Sequence, residues 1–151
     1  MQMHLALSTA RFDDAVAFYT DLLGVEPAKQ TEDYATFRAE APAVRLSLRA
    51  GERPAIIPGE HYGIYIPDAD ALRATWARLA ARGHEGIEQA AVSCCMAIQD
   101  KLWLSDPDGR LWEVYTVLQD QAVEDQGLEG QATKAQAPAG ACCGGAVRCC
   151  P

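Results

Sequence analysis

Two histidines, one glutamate and three pairs of adjacent cysteines are the residues in this chain of 151 whose types and spacing suit chemistry. The cysteines occur as Cys94-Cys95, Cys142-Cys143 and Cys149-Cys150. Adjacent cysteines bridge each other only through a strained ring, whereas two neighbouring thiolates chelate a soft metal or metalloid well. A secreted disulfide framework spaces its cysteines differently. His4, His61 and Glu113 form the second set. Two imidazoles and a carboxylate on one face of an ion, with the other positions open, is the ligand set of non-heme Fe(II) oxygenases. Whether these three can meet depends on the elements that carry them.

Those elements occur twice. Met3-His4-Leu5-Ala6-Leu7 alternates as a strand does, and Phe12, Ala15, Val16, Tyr19, Leu22 and Leu23 recur at helical spacing before Gly24. His61-Tyr62-Gly63-Ile64-Tyr65-Ile66 alternates likewise. Asp68 or Asp70 can then cap a helix carrying Leu72, Trp76 and Leu79, ended by Gly83. His4 precedes Gly24 by 20 residues and His61 precedes Gly83 by 22. Strand-like runs follow each helix, over residues 34–39 and 43–48 and over residues 97–104 and 110–117. The last two are joined by Ser105-Asp106-Pro107-Asp108-Gly109, which has strong turn chemistry. The order predicts an α+β fold in which each sheet buries one face under its own helix and leaves the other free, so that two sheets can face each other around a cleft.

Strand parity then sorts the candidates. Leu5 and Leu7 form the helix-side face of the first strand, leaving His4 with Ala6 and Ser8. Tyr62, Ile64 and Ile66 leave His61 on the opposite face with Gly63 and Tyr65; Trp112 and Val114 leave Glu113 there too. All three polar residues point away from the helices. His84, just past Gly83, reads as a surface residue; Gln99 and Lys101 can line the cleft near the cysteines, although their alternation with Ile98 and Leu102 is equally that of any half-exposed strand.

Lys and Arg number 13 against 21 Asp and Glu, a net charge of −8, which argues against a nucleic-acid partner. No apolar stretch approaches the roughly 20 residues that cross a bilayer, and the amino terminus lacks a basic start with an apolar block, so the expected compartment is the cytoplasm, with no membrane partner. From residue 118 or 119 onward the chain turns to Ala, Gly and Gln and holds four of the six cysteines, the composition of a flexible tail.

These residues resemble the vicinal-oxygen-chelate superfamily of glyoxalases, extradiol dioxygenases and antibiotic-resistance proteins. The resemblance rests on His4, His61 and Glu113, on Phe18-Tyr19-Thr20-Asp21-Leu22-Leu23-Gly24, and on Asp106-Pro107-Asp108-Gly109-Arg110-Leu111-Trp112-Glu113-Val114. It implies two βαβββ modules, over about residues 1–55 and 56–117, with metal ligands at His4, His61 and Glu113 and a tail over residues 118–151. Cys94-Cys95 together with the cysteine-rich tail looks like the ArsI group of organoarsenical carbon-arsenic lyases, sometimes labelled cadmium-induced proteins. That likeness implies Fe(II) as cofactor, dioxygen as co-substrate, and cleavage of trivalent organoarsenicals such as methylarsenite and aromatic arsenicals to arsenite.

Cys94 and Cys95 would hold the arsenic, which requires a loop or bulge at residues 93–96 because a regular strand points neighbours to opposite faces. Cys142, Cys143, Cys149 and Cys150 would act as accessory metalloid capture on a tether. Family members pair their modules within a chain or across a homodimer, and both stay open here. Two alternatives also stay open: a glyoxalase-like metal enzyme, or a protein that sequesters thiophilic ions or a drug without turnover. The strand Val44-Arg45-Leu46-Ser47-Leu48-Arg49 offers no fourth metal ligand, which favours an open three-ligand site. Removing residues 119–151 is expected to weaken arsenite retention in equilibrium dialysis while leaving most turnover; complete loss of turnover in a folded truncation would refute tethered capture.

Overall fold

The internal repeat of the sequence is a repeat of topology. The computed structural model describes residues 2–94 and 96–120. The first module runs β1 (Met3–Thr9), α1 (Phe12–Leu23), β2 (Lys29–Gln30), β3 (Tyr34–Glu40) and β4 (Ala43–Ala50). The second runs β5 (His61–Tyr65), α2 (Ala69–Ala81), β6 (Gly86–Cys94), β7 (Ala97–Ser105) and β8 (Leu111–Asp120). The sheets have the orders β1-β4-β3-β2 and β5-β8-β7-β6. In each, the first strand lies parallel to the last and the other pairs are antiparallel. Two strands not foreseen from the pattern, β2 and β6, complete each module as βαβββ. β8 continues to Asp120, because Gln119 and Asp120 pair with Ile98 and Ala97 of β7.

Local chemistry explains the helix ends. Asp13 and Asp14 sit in the first turn of α1, where acidic groups favour the positive end of the helix dipole. Gly24 closes α1 in the left-handed conformation, φ 67°, with its N–H donating to Thr20 O. The Asp68 side chain caps α2 by accepting from the N–H groups of Asp70 and Ala71. The helices differ in burial: α1 buries Ala15, Val16, Phe18, Tyr19, Leu22 and Leu23, whereas α2 buries Leu72 and Leu79. Helix α1 therefore serves both modules, since Tyr19 meets Trp112 of β8 edge-to-face with ring centroids 5.6 Å apart.

A buried carboxylate ties the modules together. Asp106 Oδ2 accepts from the Tyr19 hydroxyl and from the Arg110 guanidinium, each at 2.8 Å. Its Oδ1 accepts from the backbone N–H of Arg110 at 2.8 Å and of Asp108 at 3.0 Å. Arg110 also donates to the carbonyl of Ser8 at the end of β1, while Asp108 Oδ1 accepts from Ala10 N at 3.1 Å. The turn before β8 is thus bonded to the end of β1 and the middle of α1. Burial, reinforced by the negative Asp106, raises the pKa of the Tyr19 phenol and keeps it a donor. Burial opposes the Arg110 charge, but hydrogen bonding and attraction to Asp106 outweigh it and raise its pKa.

The Asp106 side chain is fully buried and Arg110 nearly so. Asp106→Ala leaves that guanidinium without its counter-charge and is expected to cost about 3–5 kcal/mol in urea unfolding, against about 1 kcal/mol for Tyr19→Phe. A loss below that of Tyr19→Phe would show that this seam does not hold the modules.

Candidate metal and thiol site

The open face of the second sheet is assembled by three strands. In register, His61 lies beside Leu111, Gly63 beside Glu113, and Glu113 beside Trp103. Ile64, Trp112 and Val114 are buried on the helix side, so parity places His61, Gly63, Glu113, Lys101 and Trp103 together on the other face. His61 Nε2 stands 3.5 Å from Glu113 Oε2. His61 Nδ1 lies 3.3 Å from the carbonyl oxygen of Gly59. Assigning the ring proton to Nδ1, where it can be donated to that carbonyl, leaves an Nε2 lone pair facing a carboxylate oxygen. In that tautomer a bound cation fits between the two atoms; with the proton on Nε2 the same contact is a direct histidine–carboxylate interaction.

Lys101 holds the other carboxylate oxygen. Its Nζ is 2.6 Å from Glu113 Oε1, with 3% and 10% of the two side chains exposed. Burial works against the ammonium, but hydrogen bonding and attraction from Glu113, with a further hydrogen bond to Cys94, prevail and hold the Lys101 pKa above its ordinary value. Lys101 therefore bridges a candidate metal ligand and a candidate arsenic ligand. Trp103 forms the floor: its ring lies 5.0 Å from the His61 ring edge-to-face and 5.8 Å from Lys101 Nζ, and its Nε1–H donates to Gln89 Oε1 at 3.0 Å. Gly63 keeps the face open, since a Cβ there would stand 3.4 Å from the Tyr115 ring and 3.8 Å from Glu113 Oε2.

Cys94, buried at the end of β6, pairs with Ala97 across a hairpin turn in which Met96 takes φ 64°. The chain thus breaks from regular strand within the expected segment. Cys95, Cys142, Cys143, Cys149 and Cys150 lie outside the described residues. His4 stands on the open face of the first sheet, exposed, with Nε2 3.0 Å from Ser47 Oγ. His61 and Glu113 are brought together within one chain, and His4 does not join them: among the described residues no three His, Cys, Asp or Glu side chains are grouped to hold one ion. A cavity of about 510 Å³ opens beside His61, lined by Ala6 and Ser8 of β1 and by Ile56 and Ile57 of the connection between modules.

The sequence profile of the glyoxalase/bleomycin resistance protein/dioxygenase superfamily matches residues 2–114. The chain belongs to this superfamily. Among its relatives, the cadmium-induced protein CadI of Mycobacterium tuberculosis is 35% identical over 124 residues, covering 79% of this chain and 78% of that one. A trivalent organoarsenical cleaving enzyme of Thermomonospora curvata is 33% identical over 119 residues, covering 79% of each. The crystal structure of a superfamily member from Alicyclobacillus acidocaldarius superposes with a TM-score of 0.60 at 21% identity, covering 78% of this chain and 92% of that one, and shares the fold.

Within this superfamily fold, parity located His61 and Glu113, and Lys101 was a candidate for the cleft wall near the cysteines but was given no role, while Trp103 and Gln89 were not singled out. The signal for Lys101 was a cation at the head of the apolar run Leu102-Trp103-Leu104, in phase with Trp103. Lys101→Met leaves Glu113 buried without its cation and is expected to destabilise the metal-free protein by about 3–5 kcal/mol, measured by urea unfolding; a change within about 0.5 kcal/mol would mean that water already screens the pair.

Proposed function

We infer that this protein cleaves the carbon-arsenic bond of trivalent organoarsenicals, such as methylarsenite and aromatic arsenicals, in an Fe(II)- and dioxygen-dependent reaction that releases arsenite. The observation that carries the reading is the arrangement of the second sheet, where Lys101 Nζ of β7 lies 2.6 Å from Glu113 Oε1 and Cys94 ends the strand paired with β7. The relatives named as organoarsenical cleaving enzymes support the substrate class.

Each residue has a defined task. Cys94 and Cys95 each displace one hydroxyl from arsenic: a sulfur-arsenic bond forms, an arsenic-oxygen bond breaks, and the thiol proton leaves with the hydroxide as water. Soft thiolates suit soft arsenic, and holding both exchangeable positions turns the organic group toward the metal face. His61 and Glu113 fit a divalent cation, because an imidazole nitrogen and a carboxylate oxygen face each other across 3.5 Å and Gly63 adds no side chain beside them. When bound, Fe(II) supplies the open positions and one-electron chemistry that dioxygen requires. Lys101 fixes the unused oxygen of Glu113 and so orients the one that faces His61. Trp103 excludes water beneath the pair.

The third ligand in this reading is His4 of a second copy. His4 lies on an open sheet face, and a two-fold pairing that sets this face against the His61–Glu113 face of the other copy builds two equal sites. The thiols require a reducing compartment, the cytoplasm. No helix among the described residues is long and apolar enough to cross a membrane.

Anaerobic loading with Fe(II), followed by methylarsenite and air, tests the reading by arsenic speciation and oxygen uptake. Arsenite formation should need iron and oxygen and vanish in Cys94→Ser, Cys95→Ser, His61→Ala and Glu113→Ala, with the two metal-ligand variants still binding the arsenical. Mixed and re-equilibrated His4→Ala and Glu113→Ala chains should regain about a quarter of wild-type activity, since half the dimers are mixed and each holds one intact site. Tight binding without any change in speciation would favour sequestration.

A further inference from the structure

The open face of the first sheet is cationic in a chain of net charge −8. Register places Arg45 of β4 between His4 of β1 and Arg38 of β3, and sets Arg49 between Ser8 and Tyr34. The alternate residues Leu46, Leu48 and Phe37 are buried on the helix side, so Arg38, Arg45, Arg49 and His4 share the exposed face. Glu40 is the acid beside them on β3 and makes no ion pair with them. Arg45 Nε donates to the neutral Gln2 Oε1 at 2.9 Å, and the Arg49 guanidinium lies 5.6 Å from the Tyr34 ring centroid. The ion pairs among the described residues engage Arg11, Arg73, Arg82, Arg110, Lys101, His61 and His84, and none of these three arginines.

Like charges directly opposite on neighbouring strands repel. Arg38 and Arg45 are opposite partners, with no carboxylate of the described chain between them. Guanidinium groups present planar forks suited to carboxylate, sulfonate or phenolate oxygens. We propose that Arg38 and Arg45 form a clamp for an organic anion, with Arg49 reinforcing the field. Resting on the function inferred above, the clamp borders the metal-binding cleft, because Arg45 is the direct strand neighbour of His4. Its ligand is then a negatively charged group on the organic substituent of arsenic, and the site favours aryl arsenicals bearing carboxylate, sulfonate or phenolate over neutral ones. A methyl group does not reach this clamp.

Two measurements on the full-length protein test this. Titration with benzoate, followed by amide chemical shifts, should perturb residues of β3 and β4, saturate in wild type and weaken about tenfold in Arg45→Gln, with Arg45→Lys recovering part of the loss. The ratio of kcat/KM for para-carboxyphenylarsenite to that for phenylarsenite should exceed one and fall about tenfold in Arg38→Gln and in Arg45→Gln. A ratio cancels any general effect of the substitution. Equal benzoate binding in wild type and variants, or a ratio unmoved by both substitutions, overturns the clamp. Absence of turnover with either arsenical refutes the lyase reading instead, and benzoate binding then decides the clamp alone.

Discussion

A four-stranded sheet that carries one helix has one face sealed and one face open, and His4, His61 and Glu113 all sit on an open one. Trp112, Val114 and Ile64 seal the second sheet against the helices while Glu113 and His61, one residue out of phase, face away. Leu46 and Leu48 do the same for the first sheet and leave Arg45, Ser47 and Arg49 outward. A shift of one residue in β8 would turn Glu113 into the core beside Ile64 and Leu102 and put Trp112 on the face that carries His61. Placement of the chemistry and burial of the core are one constraint.

The Lys101–Glu113 pair shows what that constraint costs. Both side chains are withdrawn from water, and a buried ion pair regains only part of its lost hydration. Apolar residues could fill the same space at less expense in folding free energy. What the pair supplies is orientation: Glu113 has one oxygen occupied by Lys101 and the other turned to His61, so its carboxylate has little freedom left. The His61 ring is fixed in the same way, between the Gly59 carbonyl and the edge of Trp103.

Much of the fold could be read in the sequence because it is written in burial. Both helices, the Gly24 and Gly83 stops and the Asp68 cap were visible, as was the parity of β1, β5 and β8, since period and capping are local properties. Strands β2 and β6 left no such mark. β2 is two residues long, and β6 is an edge strand whose residues are mostly exposed, so neither shows apolar alternation. Lys101 shares a face with Glu113 only through pairing of β7 with β8, and a register shift between Ile98 and Gln99 interrupts that pairing. His4 was correctly assigned its face, yet no local pattern says which other face it meets. The Arg38–Arg45 opposition likewise exists only once β3 is paired with β4.

The seam at Asp106 is built from the turn before β8, the middle of α1 and the end of β1. It joins them using Tyr19, Arg110 and Asp108, and of its members Arg110 also lines the cavity beside His61. Stability and reactivity therefore draw on nearly separate sets of positions. Lineages carrying this architecture can exchange residues on the open faces, and with them the substrate, without renegotiating how the two halves of the molecule hold together.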